Sequence, residues 1–173
     1  MGSRDSVAGV WEGGQPDRVH SFAMTIESLY EPAVNAAVVG RIESLGPDTQ
    51  PSWGKMNVVQ MLAHCQKPLL VASGELHLKR GLIGKLFGRA AKKRYIDSDA
   101  PFSKDGPTDP RFLVPDANDF AREQAGLVAL VRRFGEKGPE TGEPHPFFGP
   151  LTREEWDRLQ WKHLDHHLRQ FGV

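Results

Sequence analysis

One cysteine, Cys65, in 173 residues leaves no partner for an internal disulfide and fits a reducing compartment. No apolar run approaches the roughly 20 residues that a membrane-spanning helix needs, and the first residues lack the charged-then-apolar layout of a secretory signal. A cytoplasmic protein without a membrane span is therefore expected. Neither sign of charge is in excess, because 22 Lys and Arg balance 22 Asp and Glu, so no global field favours nucleic acid or an acidic partner. Sustained apolar–polar alternation bounded by hairpin signals is also missing, which argues against a sheet. At this length the chain suits one domain with a sizeable core better than two.

What is present is helical periodicity. Residues 1–23 are rich in Gly, Ser, Asp and Arg and follow no period. They read as an appended tail, a tag remnant or an over-extended start ahead of Met24, and the domain is taken as 24–173. A first helix is expected from Thr25 or Ser28, with Pro32 in its first turn, to the stop at Leu45-Gly46-Pro47. Asn57 and Gln60 form a capping box, so a second helix begins at Val58, with Val58, Met61, Leu62, Cys65 and Leu69 on its apolar face. Pro68 leaves the carbonyl of His64 without an N–H and predicts a local bend. A third helix carries Phe120, Leu127, Leu130, Val131 and Phe134, capped by Asp116 or Asn118 and ended by Gly135 or Gly138. Thr152 and Glu155 form another capping box and start a fourth, which runs towards Phe171. Four helices with long connections predict an all-α bundle.

Between the second and third helices, Leu76 to Ile96 contains Lys79, Arg80, Lys85, Arg89, Lys92, Lys93 and Arg94 and no acidic residue. Leu78, Leu82, Ile83, Leu86 and Phe87 are interleaved with them. The stretch suits an anionic partner or a membrane surface; the plainer expectation is an irregular lid whose apolar side covers the bundle, since Gly81, Gly84 and Gly88 weaken a helix. Asp97 to Asp116 reads as a long surface loop.

The chemistry gathers in the last helix. Trp156, Leu159, His163 and His167 follow at spacings of three and four, which sets two imidazoles one turn apart in an apolar seam. Such a pair can hold a cation or can be solvated or hydrogen-bonded into the core. A metal site needs at least one more ligand. His64, bordering the apolar face of the second helix, is either that ligand or a satisfied core histidine. His166 lies towards one rim, and His145 stands in the loop before the helix; both are candidates for supporting the site or meeting a substrate. Cys65, adjacent to His64, diverges from it by about 100° and is expected in the core. Asp165 points away from the histidine pair on the helical wheel.

The stretches W-G-K-M-N-V-V-Q-M-L-A-H-C-Q (Trp53 to Gln66) and H-P-F-F-G-P-L-T-R-E-E-W-D-R-L-Q-W-K-H-L-D-H-H-L-R-Q-F (His145 to Phe171) resemble the DinB-like or YfiT-like metal-dependent superfamily, within it a branch of unknown function. The likeness runs from about Met24 to the end and includes L-K-R-G-L-I-G-K-L-F-G. It implies a four-helix bundle in which His64, His163 and His167 bind a divalent metal, with no departure at the three ligand positions. Some members of that superfamily look like thiol transferases or isomerases that use a low-molecular-weight thiol such as bacillithiol or mycothiol, and others like hydrolases.

Three neutral imidazoles suit zinc, nickel, iron or manganese and leave a coordination position open. The expected function is a metal-dependent enzyme in which the ion activates a thiol or water for attack on a small-molecule substrate. The alternatives are a non-catalytic metal- or small-ligand-binding bundle and a module using segment 79–94 as a surface for an anionic partner. No nucleic-acid partner is expected, and bundles of this size often form a homodimer through an apolar face.

Overall fold

The computed structural model describes residues 25–106 and 108–173, so the expected tail 1–23 lies outside the described residues. Among them the chain forms five α-helices: α1 (Pro32–Glu43), α2 (Val58–Ser73), α3 (Leu82–Lys92), α4 (Phe120–Lys137) and α5 (Arg153–Gln170). A π-helical turn (Lys93–Asp97) follows α3, and a 3-10 turn (Pro110–Phe112) precedes α4. One isolated antiparallel bridge, His145 to Gly149, is the only β pairing among the described residues. The fold is all-α, with five helices where four were expected.

Both expected capping boxes form. Asn57 Oδ1 accepts from the N–H of Gln60 at 2.9 Å while Gln60 Oε1 accepts from the N–H of Asn57 at 3.1 Å. Thr152 and Glu155 repeat the exchange at 3.2 and 2.8 Å. α2 continues through Pro68 to Ser73, and the buried Gln160 of α5 donates to the Pro68 carbonyl at 3.1 Å.

Other boundaries differ from the pattern for local reasons. α1 begins only at Pro32, because the N–H of Leu29 is held by the buried Asp157 carboxylate at 2.8 Å and that of Tyr30 by Ser28 Oγ at 3.2 Å. Those donors are engaged before a helix can use them. α4 is capped by Asp119, not by Asp116 or Asn118; its carboxylate accepts from the N–H of Arg122 at 3.0 Å. Gly138 ends that helix, whereas Gly135 lies inside it, where a Cβ would come within 2.8 Å of the Leu29 carbonyl.

The core is one cluster. α2 packs on α4, α4 on α1, and α5 closes the group against α2 and α1. Leu29, Ile42, Met61, Leu62, Leu127 and Val131 are among its fully buried members, with Leu164 and Leu168 from α5. Polar ties register these helices. Gln124 donates to the carbonyls of Ile42 and Leu45 at 2.8 and 3.2 Å, which ties α4 to the end of α1. Asp165 is ion-paired with Arg41 at 3.0 Å and Arg169 at 2.8 Å, which turns it away from the histidines as the wheel required.

The segment expected to be an irregular lid is a helix. Gly84 and Gly88 are buried on one face of α3 and press on the backbone of Pro146 and Phe147, where a Cβ on Gly84 would meet the Phe147 carbonyl at 2.9 Å. The glycines that weaken the isolated helix are what allow it to dock. The expectation that its apolar side covers the bundle is likewise corrected, since Leu82, Ile83, Leu86 and Phe87 are exposed.

Gly88→Ala places a methyl against the Phe147 carbonyl and is expected to destabilise the docked α3 by about 1–3 kcal/mol, read as faster amide exchange over residues 82–92. Gly40→Ala, in α1 with nothing within 4 Å of the added carbon, is expected to stabilise the protein by about 0.5–1 kcal/mol in chemical denaturation.

Candidate metal centre

His64 projects from α2, and His163 and His167 from consecutive turns of α5, into the seam between the two helices. Their ring centroids are 4.9 Å (His64 to His163), 4.8 Å (His64 to His167) and 4.7 Å (His163 to His167) apart. Each offers a ring nitrogen, and the three nitrogens lie within 4.8 Å of one another. His64 and His167 are buried and His163 is half-buried.

Hydrogen bonds orient two of the rings. His64 Nδ1 lies 3.1 Å from the carbonyl of Phe112, which can only accept, so Nδ1 carries the proton and Nε2 is left with a bare lone pair. On the other side Gln170 Nε2 donates to the Trp53 carbonyl at 2.6 Å, which fixes the amide so that Oε1 accepts from His167 Nδ1 at 2.8 Å. His167 Nε2 is therefore also bare. This outer support, a carbonyl behind one ring and an amide behind the next, is what metal-ligating histidines use to fix tautomer and ring angle.

The third ring completes the set differently. His163 Nε2 is 3.0 Å from His64 Nε2, and its Nδ1 is buried with no hydrogen-bond partner among the described residues. Burial lowers the pKa of His64, lowers that of His167 to about 3 and lowers that of His163 well below the ordinary histidine value. The rings are thus neutral at neutral pH. Neutral nitrogens converging at this range repel unless a proton or a cation lies between them. Two ligands of an ion with bonds of about 2.0–2.1 Å stand roughly 3–3.4 Å apart, and the His64 to His163 separation falls in that range. The three imidazoles could therefore hold a divalent ion, and the set contains no carboxylate or thiolate.

Around the three lies an aromatic wall. The His166 ring is edge-on to His167 at 5.0 Å and lies 5.9 Å from both Trp53 and Phe102. Its pKa is lowered by burial. Lys104 sits over the Trp53 ring at 4.4 Å, and Trp53 Nε1 is buried without a partner. Lys162, one residue before His163, donates to the Ser98 carbonyl at 2.7 Å and stands 5.3 Å from the Phe102 ring, with its pKa lowered to about 8 by burial.

His145, the other supporting candidate, is used in its own loop. Its Nδ1 accepts from the N–H groups of Phe147 and Phe148 at 3.1 and 3.2 Å, and its ring packs on Trp156 at 5.2 Å. It is not among the three whose nitrogens converge. Cys65 is buried with its thiol pushed up by burial, and its Sγ faces Met61 Sδ at 3.7 Å, in the core as expected.

Several contributors were not picked from the sequence. Gln170 stands at i+3 from His167, a spacing that could have flagged it. The Phe112 carbonyl, Trp53 and Phe102 come from loops, where no period points to a partner.

The model of a family described as "Protein of unknown function (DUF1569)" matches residues 24–172. No curated protein and no solved structure matches the chain.

The outer support generates a specific expectation. In titrations with Co(II) followed by its visible absorption, Gln170→Ala binds about 10–100-fold more weakly than the native protein. Equal affinities in the two proteins would count against the orienting role of the amide.

Proposed function

This chain belongs to the family of proteins of unknown function DUF1569, and we propose that it is a DinB-like four-helix bundle whose His64, His163 and His167 hold a divalent metal ion for chemistry on a small substrate. The observation that carries this reading is the orientation of the bare Nε2 atoms of His64 and His167 by the Phe112 carbonyl and Gln170. In each of these two rings the single N–H is spent on a protein oxygen, which leaves the other nitrogen's lone pair aimed into the seam where an ion would sit.

When bound, the ion would lower the pKa of a thiol or water at its open position and polarise a substrate oxygen. The chain's own residues do the rest. His163, half-buried where its two partners are buried, marks the accessible side of the seam. Trp53, Phe102 and His166 lie beside that seam and would exclude water from a bound substrate, with the unpartnered Trp53 Nε1 available as a donor. Lys162 and Lys104 place positive charge on the same wall and favour a substrate with an anionic group. Thiol transfer and hydrolysis both fit this arrangement.

The test uses full-length protein loaded with zinc, nickel, iron or manganese. It is assayed with bacillithiol or mycothiol and a model electrophile, and separately with simple esters and amides. Turnover is expected with at least one metal and is expected to fall to background in His167→Ala. Stoichiometric metal with no turnover across these substrates would instead support a non-catalytic binding bundle. Metal at 100 times its dissociation constant is expected to raise the unfolding free energy by about 2.7 kcal/mol, and chelation is expected to remove that increment; an unchanged melting curve would sink the metal reading itself.

A further inference from the structure

α3 is held to the protein by its glycines rather than by its large apolar residues. Gly84 and Gly88, one turn apart, rest on Pro146 and Phe147. Arg80 donates to the Gly84 carbonyl at 2.8 Å, and Lys92 pairs with Glu155 at 2.6 Å. These contacts fix the rotation of the helix about its axis. Leu82, Ile83, Leu86 and Phe87 consequently project outward, 76, 68, 75 and 61% exposed. They make up most of the exposed large hydrophobic side chains among the described residues. At 100° per residue all four fall within one arc of about 140° on the helix, next to the glycine face.

The opposite rim is basic. Lys85, Arg89 and Lys92 line the other side of the helix, with Lys79 before it and Lys93 and Arg94 after it. No acidic residue occurs from Leu76 to Ile96. Of these six cations, only Lys92 is in an ion pair among the described residues. A contiguous apolar patch of this kind marks an interaction site, and the charge around it selects the partner. A second copy docking by two-fold symmetry would bring one basic rim against another. An anionic bilayer supplies both acyl chains for the apolar arc and negative headgroups for the rim, while the long Lys and Arg stems extend to the headgroup level.

We propose that α3 is an interfacial anchor that lies in the surface of a membrane rich in anionic lipid, with Leu82, Ile83, Leu86 and Phe87 inserted below the headgroups. The helix binds without spanning, in keeping with the absence among the described residues of any helix long and apolar enough to cross a membrane. The proposal is independent of the metal reading.

The test is co-sedimentation of the full chain with large unilamellar vesicles of phosphatidylcholine alone and of phosphatidylcholine with phosphatidylglycerol at 3:1. Binding to the anionic vesicles is expected to exceed binding to the neutral ones at least tenfold and to weaken sharply in 0.5 M salt. The double variant Leu86→Asp, Phe87→Asp changes only exposed positions, and with an unaltered melting temperature it is expected to lose at least nine-tenths of the bound fraction. Equal binding to both vesicle types, no binding to either, or full binding by the variant would overturn the proposal. So would a native dimer in light scattering that the variant converts to monomer, since the face would then belong to a second copy.

Discussion

The close approach of α2 and α5 at three neutral imidazoles is the constraint on which the site depends. Bringing His64 Nε2 to within 3.0 Å of His163 Nε2 leaves room between them only for a shared proton or an ion. Two groups outside the trio set the angles of its rings. The Phe112 carbonyl turns the His64 ring, and Gln170, itself anchored on the Trp53 carbonyl, turns the His167 ring. The loops that carry Trp53 and Phe112 are thus tied to the seam from both sides. Burial keeps the rings uncharged, so His64 and His163 are joined by one neutral N–H···N hydrogen bond unless a cation takes the place of that proton.

The second organising feature is the way α3 attaches. Most amphipathic helices on a globular protein turn their apolar stripe inward. This one turns inward a pair of glycines, because the loop at Pro146 and Phe147 passes too close for any side chain. His145 shapes that loop by accepting two backbone N–H groups, and its ring rests on Trp156 at the start of α5. Through the backbone of that loop His145 helps to set the outward face of α3. The loop also links α3 to the histidine seam, since Phe148 is 6.4 Å from Tyr95, Tyr95 is 5.6 Å from Phe102, and Phe102 lies against His166.

Much of this was legible in the sequence and some of it was not. α2 and α5 were readable to the residue at their starts, because a capping box is a local device whose partners are three residues apart. The start of α1 was not, because Asp157, far away in sequence, removes the donors that would have extended it. Nor was the helical state of 82–92, since intrinsic propensity penalises glycine without knowing that a neighbouring backbone will come within contact distance. The pairing of His163 with His167 could be read from their spacing, and His64 could be nominated.

By itself, then, the sequence determined the helical class, the caps that start α2 and α5, and which side chains on α5 share a face. All of these depend on interactions within one or two turns. The tertiary structure alone decided that His64 meets the other two, that a carbonyl and an amide orient the set, that His145 is engaged by its own loop and Asp165 is turned aside, and that α3 leaves its leucines in solvent. Each of those outcomes depends on a partner brought in from a distant part of the chain, and the periodicity of a helix says which face is apolar but not what will be placed against it.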